Sequence, residues 1–253
     1  MGYMQTLSLC TGVGGLDLGF AQGCSDVGLR ARTVCMVERE AFAVAVLAKA
    51  IEEGRLDDCP IWFGDLGELP VRELPRIDWV IGGYPCQPFS YAGARLGEGD
   101  SRHLWPDILR IVREVRPRGV FFENVGGHLS LGLDGVLRDL GECGFRCAFG
   151  LFTAEEVGAP HRRERVFILG MADPDGEGCQ GRGHEQRRPV EWPARQGCAQ
   201  RPYEPARCVE PSVGRDVDGL SQRVDRLRAL GNAVVPEQAA KAFVELYRTV
   251  NYS

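Results

Sequence analysis

The segment QTLSLCTGVGGLDLGF, residues 5–20, contains a short apolar run, a glycine-rich turn and the start of an amphipathic stretch. The run QTLSLC predicts a strand, and the turn TGVGG leads into a helix that begins near Leu16. This order is the first half of a βαβ unit, in which a nucleotide-like ligand can lie against the backbone of the turn. The spacing G-x-G-x-x-G is absent, and strand-to-helix turns need glycine anyway. On its own, the segment therefore indicates an α/β fold more strongly than a ligand.

The rest of the chain repeats this alternation of strands and helices. At this spacing the alternation predicts βαβ units and a parallel sheet. The predicted strands after the first are TVCMVE ending at Glu38, CPIWFGD ending at Asp65, WVIGG at 79–83, GVFFENV, and the pair FRCAFGLFTA and RERVFILGMA; the predicted helices include AFAVAVLAKAIEE, 104–114 and GVLRDLGECG.

The character of the sequence changes after Ala172. Residues 173–220 are rich in glycine, proline and arginine and show no apolar periodicity, which predicts a small, irregular and partly disordered insert. We expect residues 1–172 to form the main domain and residues 221–253 to pack back onto it.

Bulk composition excludes several classes of protein. With 253 residues, 44% hydrophobic and 26% charged, the chain is typical of soluble globular proteins. The sequence has no apolar run of membrane-spanning length and no signal peptide at its N-terminus, so we expect a cytoplasmic protein. Ten irregularly spaced cysteines without a C-x-x-C pair indicate reduced thiols.

The positive charge is almost entirely arginine, although the net charge is −5. Lys49 and Lys241 are the only lysines, and arginines cluster at 102–118 and 162–228. Arginine suits contact with phosphates and guanine edges. Codon bias in a GC-rich genome explains the number of arginines equally well, but it does not explain the clusters.

Acidic residues end two consecutive predicted strands. An acid at the position of Glu38 typically bonds a ribose diol, and Asp65 can accept a hydrogen bond from an exocyclic amine. Together with the glycine turn they predict an adenosine ligand. No Walker lysine is present to hold the phosphates of ATP.

A stiff loop holds a single thiol at the end of another strand. In DWVIGGYPCQPFS, residues 78–90, Cys86 lies between Pro85 and Gln87 with Pro88 close behind, although an incidental cysteine in a proline-rich turn would look the same. Glu123 ends the next strand, so thiol and carboxyl should lie side by side at one edge of the sheet. With no histidine in a matching place, this pair suits attack on an electron-poor ring.

The run HRRER, residues 161–165, enters a later strand. Alternate side chains share a face, so Arg163 and Arg165 should point toward that same edge. A solvated basic patch is the alternative interpretation of this run.

Five segments in order resemble the motifs of cytosine-C5 DNA methyltransferases: LSLCTGVGGLDLGF, GGYPCQPFS, FFENV, EVGAPHRRERVFILG and ALGNAVVP. The resemblance covers nearly everything except residues 173–220. It implies a Rossmann-like, S-adenosylmethionine-dependent sheet with helices on both faces, a small recognition insert at 173–220, and methylation of cytosine in double-stranded DNA.

The resemblance also implies roles for individual residues. Cys86 attacks C6 of a flipped cytosine, Glu123 holds N3 and the exocyclic amine, Arg165 contacts the base oxygen, and Arg163 braces Cys86 and Glu123. The mobile loop that closes on DNA includes Asp100, Ser101 and Arg102, and Gln87 and Ser90 join them in DNA binding. The implied cofactor site comprises Cys10, Thr11, Gly12, Gly14, Gly15, Leu16, Glu38, Arg39, Asp65, Leu66, Pro85, Asn232 and Ala233.

The sequence departs from the family pattern at several positions. Cys10 stands where a phenylalanine beside the adenine is usual, and Arg39 where an aromatic residue is common; both changes remove apolar area around the adenine. His161 replaces a typical glutamine. The ninth family motif is not recognisable, and the recognition region has at most about fifty residues.

Alternatives remain open at this point. A tRNA cytosine methyltransferase of the same family suits a minimal recognition region, and a catalytically idle DNA-binding relative is a third candidate. We expect a monomer, standing alone or paired with a cognate restriction endonuclease, in a bacterium or a phage-infected cell. Cys179, His184, Cys198 and Cys208 match no zinc spacing, so we expect no metal.

Overall fold

The computed structural model describes residues 2–84, 104–129, 132–172, 185–186 and 233–252. These residues form an eight-stranded sheet with the strand order β3-β2-β1-β4-β5-β7-β6-β8. The strands are β1 Met4–Leu9, β2 Ala31–Glu38, β3 Ile61–Phe63, β4 Trp79–Gly83, β5 Gly119–Val125, β6 Phe145–Thr153, β7 Glu164–Ala172 and β8 Glu185–Gln186. The helices are α1 Gly15–Asp26, α2 Ala41–Glu52, α3 Trp105–Val115, α4 Leu133–Glu142 and α5 Pro236–Tyr252.

Helices cover both faces of the sheet, as the sequence predicts. On one face, Ile108 of α3 and Leu137 of α4 pack into a cluster with Val80 and Phe122 of the central strands. On the other face, α1 and α5 pack against Trp79 and Phe121. Because the central strands are buried on both faces, they read as continuous apolar runs in the sequence.

Three glycines allow α5 to approach α1 very closely. A Cβ atom on Gly15 would lie 2.3 Å from the carbonyl oxygen of Val234, and one on Gly19 would lie 2.4 Å from that of Pro236. A Cβ on Gly23 would lie 3.0 Å from the carbonyl oxygen of Ala240. One side of α1 therefore has no room for side chains.

The predicted parallel sheet is correct for β1 to β5 and needs correction at β7. Strand β7 runs antiparallel to both β5 and β6 and lies between them. The connection from β6 to β7 is only residues 154–163. A parallel connection needs a crossover of a dozen or more residues, so this short link dictates an antiparallel pair.

One further expectation, the end of the third strand, differs from the structure. The third strand ends at Phe63 rather than Asp65, because a 3-10 turn over Leu66–Glu68 follows at once and Asp65 precedes it in extended backbone. The predicted irregular insert lies outside the described residues except for Glu185–Gln186, which pair with β6 as β8. Among the helices of the described ranges, none has the length and apolarity needed to cross a membrane.

Candidate active site

A cavity of about 310 Å³ opens at the carboxyl ends of β1, β2, β4 and β5. Its size is at the lower end of the ~300–1,000 Å³ that is usual for small-molecule sites. This edge of an open α/β sheet is where ligands bind, because the loops after the strands converge there. The cavity lining includes Cys10, Thr11, Gly12, Gly15, Leu16, Glu38, Arg39, Asp65, Leu66, Tyr84, Leu104, Glu123, Asn124, Arg165 and Ala233.

The turn after β1 is held in place by hydrogen bonds to its own strand and to β2. The Thr11 hydroxyl lies 3.2 Å from the carbonyl oxygen of Ser8, and the Thr11 backbone N–H donates to Val37. Gly12 follows with φ +60, a conformation that glycine adopts without strain, and a Cβ there would meet open space. The turn therefore presents bare backbone to the cavity.

Glu38 is the best-anchored acid of the cavity. One carboxylate oxygen accepts a hydrogen bond from the Gly12 backbone N–H at 2.7 Å. The other oxygen accepts from the backbone N–H groups of Arg39 and Glu40, at 2.8 and 2.9 Å. The buried carboxylate is thus fixed between the glycine turn and the start of α2, and it can accept hydrogen bonds from a ligand without rearranging.

Arg39 and Asp65 form an ion pair at the rim of the cavity. The Nη1 atom of Arg39 lies 3.5 Å from Oδ1 of Asp65, whose side chain is 64% exposed. Solvent weakens such a pair, but the guanidinium still competes for the carboxylate that was predicted to bind an exocyclic amine.

Cys10 forms part of the cavity wall and stays a thiol. Burial, and then the neighbouring Glu38 carboxylate, raise the pKa of Cys10 to about 12. A thiol with that pKa is neutral at physiological pH, so Cys10 contributes a small uncharged surface rather than a nucleophile.

Glu123 and Arg165 meet on the opposite side of the cavity. Arg165 enters from β7, where it pairs with Val125 of β5, and its Nε atom lies 2.7 Å from Oε1 of Glu123. Both side chains are largely buried. At this distance the two side chains form a close ion pair in the wall of the cavity.

Burial raises the pKa of Glu123 to about 7, against the opposing effects of Arg165 and then Arg163. The carboxyl group is therefore divided between its protonated and ionised forms near neutral pH. A general acid or base works best when its pKa is close to the operating pH, and Glu123 meets that condition.

Arg163 lies just before β7 in left-handed backbone with φ 29. Its guanidinium donates a hydrogen bond to the backbone carbonyl of Ala233, which precedes α5. Burial, and then the neighbouring Arg165, lower the pKa of Arg163, while Glu123 acts in the other direction. Arginine remains charged at neutral pH, so two cations flank the Glu123 carboxyl.

The structure brings most of the predicted residues that it describes to one cavity. Glu38, Asp65, Glu123 and Arg165 all line it; Gly14 lies in the turn behind the lining, and Arg163 stands beside Glu123. The predicted site residues that lie outside the described residues are Pro85, Cys86, Gln87, Ser90, Asp100, Ser101, Arg102 and Asn232, and their roles stay predictions.

Several residues of the cavity escape sequence reasoning. Phe42, on the first turn of α2, and Leu104 supply apolar surface, and Asn124 adds a buried amide. Tyr84 also lines the cavity, and its position two residues before Cys86 in the sequence was the available signal for it.

Residues 4–194 match the family model of the C-5 cytosine-specific DNA methylase. Among curated proteins, the Type II methyltransferase M.NgoBV of Neisseria gonorrhoeae is 29% identical over 182 residues, covering 67% of this chain and 42% of that protein. The Type II methyltransferase M.NlaX of Neisseria lactamica is 32% identical over 176 residues, covering 68% and 53%. The chain thus spans about half the length of the curated relatives it matches.

Solved structures show the same architecture. A DNMT2 mutant from Spodoptera frugiperda superposes with a TM-score of 0.58 at 20% identity, covering 74% of this chain and 56% of that one. A putative DNA modification methyltransferase encoded within a prophage of E. coli gives a TM-score of 0.51 at 27% identity, covering 67% and 47%. Because the DNMT2 mutant is only 20% identical to this chain, that similarity shows the fold alone.

Proposed function

The chain belongs to the C-5 cytosine-specific DNA methylase family, and from this premise we propose that it methylates C5 of cytosine in duplex DNA. The observation that carries the proposal is the pairing of Glu123 and Arg165 in the same cavity as Glu38. One side of the cavity can hold a ribose, and the other can hold the polar edge of a base. A joint site of this kind suits transfer between a nucleoside-like donor and a nucleobase.

The described residues fit S-adenosylmethionine as the methyl donor. The fixed Glu38 carboxylate is suited to the ribose hydroxyls, and the bare backbone at Gly12 leaves space for the ligand. Phe42 and Leu66 offer apolar surface to the adenine, and the neutral Cys10 thiol adds to it. When bound, the cofactor supplies an electrophilic methyl group.

In the proposed reaction, the Cys86 thiolate adds to C6 of the flipped cytosine and the electron pair of the C5–C6 double bond moves into the ring toward N3. Glu123 donates a proton to N3 and so stabilises the charge. C5 would then take the methyl group, whose bonding electron pair would stay on the sulfur of the donor. Solvent water takes the C5 proton, the C5–C6 double bond forms again as the Cys86 thiolate leaves, and the N3 proton returns to Glu123.

The charges around Glu123 support this role. A pKa of about 7 leaves a substantial protonated fraction at neutral pH, which can donate to the ring nitrogen. Arg165 stabilises the carboxylate that remains after donation, since its Nε is 2.7 Å away. We propose that Arg165 also contacts the base oxygen. Arg163, which donates a hydrogen bond to the carbonyl of Ala233, supports the positions of Cys86 and Glu123 in this proposal.

Two other functions stay in competition. A tRNA cytosine methyltransferase would use the same cavity, and a catalytically idle relative would bind DNA alone. The arrangement of Glu123, Arg163 and Arg165 favours an active enzyme, and the relatives named Type II methyltransferases favour DNA. In that setting we propose a monomer that acts alone or beside a cognate restriction endonuclease.

Incubation with radiolabelled S-adenosylmethionine and either duplex DNA or tRNA separates these functions. We expect label in DNA, at cytosine C5 by bisulfite sequencing, and none with Cys86→Ala. Label in tRNA alone would establish the RNA enzyme, and no label in either substrate, with DNA still bound, would establish the idle protein.

A further inference from the structure

Tyr84 and His128 share a buried hydrogen bond beside the candidate active site. The Tyr84 Oη and His128 Nε2 atoms lie 3.0 Å apart, although 44 residues separate them in the chain. Both residues are about 95% buried. The other imidazole nitrogen, Nδ1, has no hydrogen-bond partner in the described part of the chain. Tyr84 is therefore the one described polar contact of this imidazole.

Aromatic rings surround this hydrogen bond. The Tyr84 ring packs against Trp105 with 5.5 Å between centroids and meets the ring of Phe122 edge-on at 6.1 Å. Trp105 is anchored in turn, because its indole N–H donates to Asp139 of α4 at 2.8 Å. The cluster thus joins β4, β5, α3 and α4.

The positions of these residues in the chain connect the cluster with the proposed chemistry. Tyr84 directly follows β4 and is separated from Cys86 by Pro85 alone. His128 lies in the 3-10 turn over Gly126–Leu129, directly after the strand that carries Glu123. The Tyr84–His128 bond therefore ties the exit of the strand before the nucleophile to the exit of the strand that carries the proposed acid.

We propose that Tyr84 and His128 are a positioning pair that fixes the end of β4, two residues before Cys86 in the sequence, relative to the turn after β5, the strand that carries Glu123. This inference rests on the proposed function of the same site. An error of about 1 Å at a reacting atom can cost on the order of 100-fold in rate. A buried hydrogen bond that holds Tyr84 and His128 in place would therefore support catalysis.

Core packing alone does not account for this choice of residues. Phenylalanine and leucine would fill the same space without burying a hydroxyl and an imidazole, of which only Tyr84 Oη and His128 Nε2 satisfy each other. Burial lowers the pKa of His128, so the imidazole is neutral at neutral pH and keeps one nitrogen that can accept a hydrogen bond from the Tyr84 hydroxyl. A hydrogen bond between Tyr84 and His128 fixes the orientation of the two side chains as well as their contact, whereas apolar packing fixes only the contact.

Three variants test the pair: Tyr84→Phe and His128→Phe each remove the hydrogen bond, and His128→Gln keeps a polar group at that place. Tyr3→Phe is the matched control, because Tyr3 is 53% exposed and its hydroxyl contacts Arg30 on the surface. Each protein is measured for kcat and KM on duplex DNA, for calorimetric affinity for S-adenosylmethionine, and for the rate of Cys86 alkylation by iodoacetamide, followed by mass spectrometry.

We expect the two phenylalanine variants to lose about 10-fold to 100-fold in kcat, with unchanged affinity for S-adenosylmethionine. Combining them should cost no more than either alone, because one interaction is removed in both. His128→Gln should recover most of the rate, and Tyr3→Phe should match the wild type. Phenylalanine variants that stay folded with wild-type kcat and wild-type alkylation would overturn the proposal.

The alkylation assay keeps this proposal separate from the proposed function. If the wild-type chain methylates neither DNA nor RNA, the proposed function fails. The alkylation rate still reports the accessibility and reactivity of the Cys86 thiol in that case. A changed rate in both phenylalanine variants, reversed in His128→Gln, supports the positioning pair in that case. An unchanged rate overturns it.

Discussion

Gln238, on α5, donates its side-chain amide to the backbone carbonyl of Arg163 over 3.0 Å. The same nitrogen donates to the carbonyl of Phe152 at 2.8 Å, and the Gln238 side chain is completely buried. Arg163 is the residue with φ 29 at the entrance to β7. The last helix of the described fold therefore holds the backbone from which a proposed catalytic arginine projects.

Replacing Gln238 with leucine should lower the free energy of unfolding by about 1–3 kcal/mol, because the carbonyl of Phe152 loses a buried hydrogen bond and that of Arg163 keeps only the bond from Ala154. Urea titration measures this loss. The exposed Gln22, which pairs with Asp26 on α1, offers the matched control: Gln22→Leu should change stability by less than about 0.5 kcal/mol. Equal effects at both positions would refute the anchoring role of Gln238.

Glu38→Ala should weaken binding of S-adenosylmethionine by about 1–3 kcal/mol, the usual value of hydrogen bonds to a charged group. Isothermal titration calorimetry gives the affinity directly, without DNA. Glu52→Ala removes an exposed acid from the other end of α2 and should leave the affinity unchanged. An unchanged affinity in a folded Glu38→Ala protein would remove Glu38 from the cofactor site.

Arg39→Tyr should strengthen cofactor binding by about 1 kcal/mol, because an aromatic ring adds apolar contact at the rim. The change also releases Asp65 from its ion pair with Arg39, which frees the carboxylate for the ligand. Calorimetry of this variant beside Arg39→Ala separates the two effects, since alanine releases Asp65 without adding a ring. Weaker binding in both variants would show that Arg39 itself contacts the cofactor.

Two buried carboxyls should make the protein less stable as the pH rises. Burial raises the pKa of Asp17 from 3.8 to about 7, and that of Glu123 from 4.5 to about 7. A raised pKa stabilises the folded state fully below the unfolded value and loses that effect as the pH rises toward 7. Each group therefore lowers the unfolding free energy by up to about 1.4 kcal/mol per pH unit between roughly pH 4.5 and 7.

The Asp17→Asn variant tests this dependence, since the amide does not titrate. Its unfolding free energy, measured at pH 5, 6 and 7, should fall less steeply than that of the wild type. Asp26→Asn, at the exposed end of the same helix, should keep the wild-type slope. Parallel curves for the wild type and Asp17→Asn would mean that Asp17 is ionised throughout this range.

Duplex DNA that carries 5-fluorocytosine should trap the enzyme through Cys86, because fluorine cannot leave C5 as a proton does. Trapping and methyl transfer should both disappear in Cys86→Ala, and cofactor affinity should remain. The pKa values of Cys10 and Cys59 are each raised to about 12, mainly by burial, so neither thiol can replace Cys86. A covalent complex that persists in Cys86→Ala would disprove the assignment of the nucleophile.

Local patterns in the sequence predict the strands, the helices and the acids at the strand ends. Glu38 and Glu123 could be placed because each follows an apolar run whose direction in the sheet is fixed by the βαβ rule. The position of β7 between β5 and β6 depends on pairings across the sheet, which periodicity does not encode. The alternation of strands and helices along the sequence predicted a parallel β7, and this direction was wrong.

The side-chain pairs of the site could not be predicted in this way. Tyr84 meets His128 across 44 residues and Gln238 meets Arg163 across 75, and each pair depends on how closely two elements pack. The Arg39–Asp65 pair likewise arises from the bend after β3, which replaced the predicted end of that strand. Such contacts follow from tertiary geometry rather than from any motif.

The glycine face of α1 has a consequence for how the molecule is made in the cell. The segment that covers Gly15, Gly19 and Gly23 runs from Val234 into α5 and begins more than 200 residues after α1 ends. At about 5–20 residues per second, a ribosome needs on the order of 10 s or more to supply it. During that interval Leu16, Phe20 and Cys24 lack the cover that α5 gives them, so the nascent chain exposes more apolar surface until α5 docks.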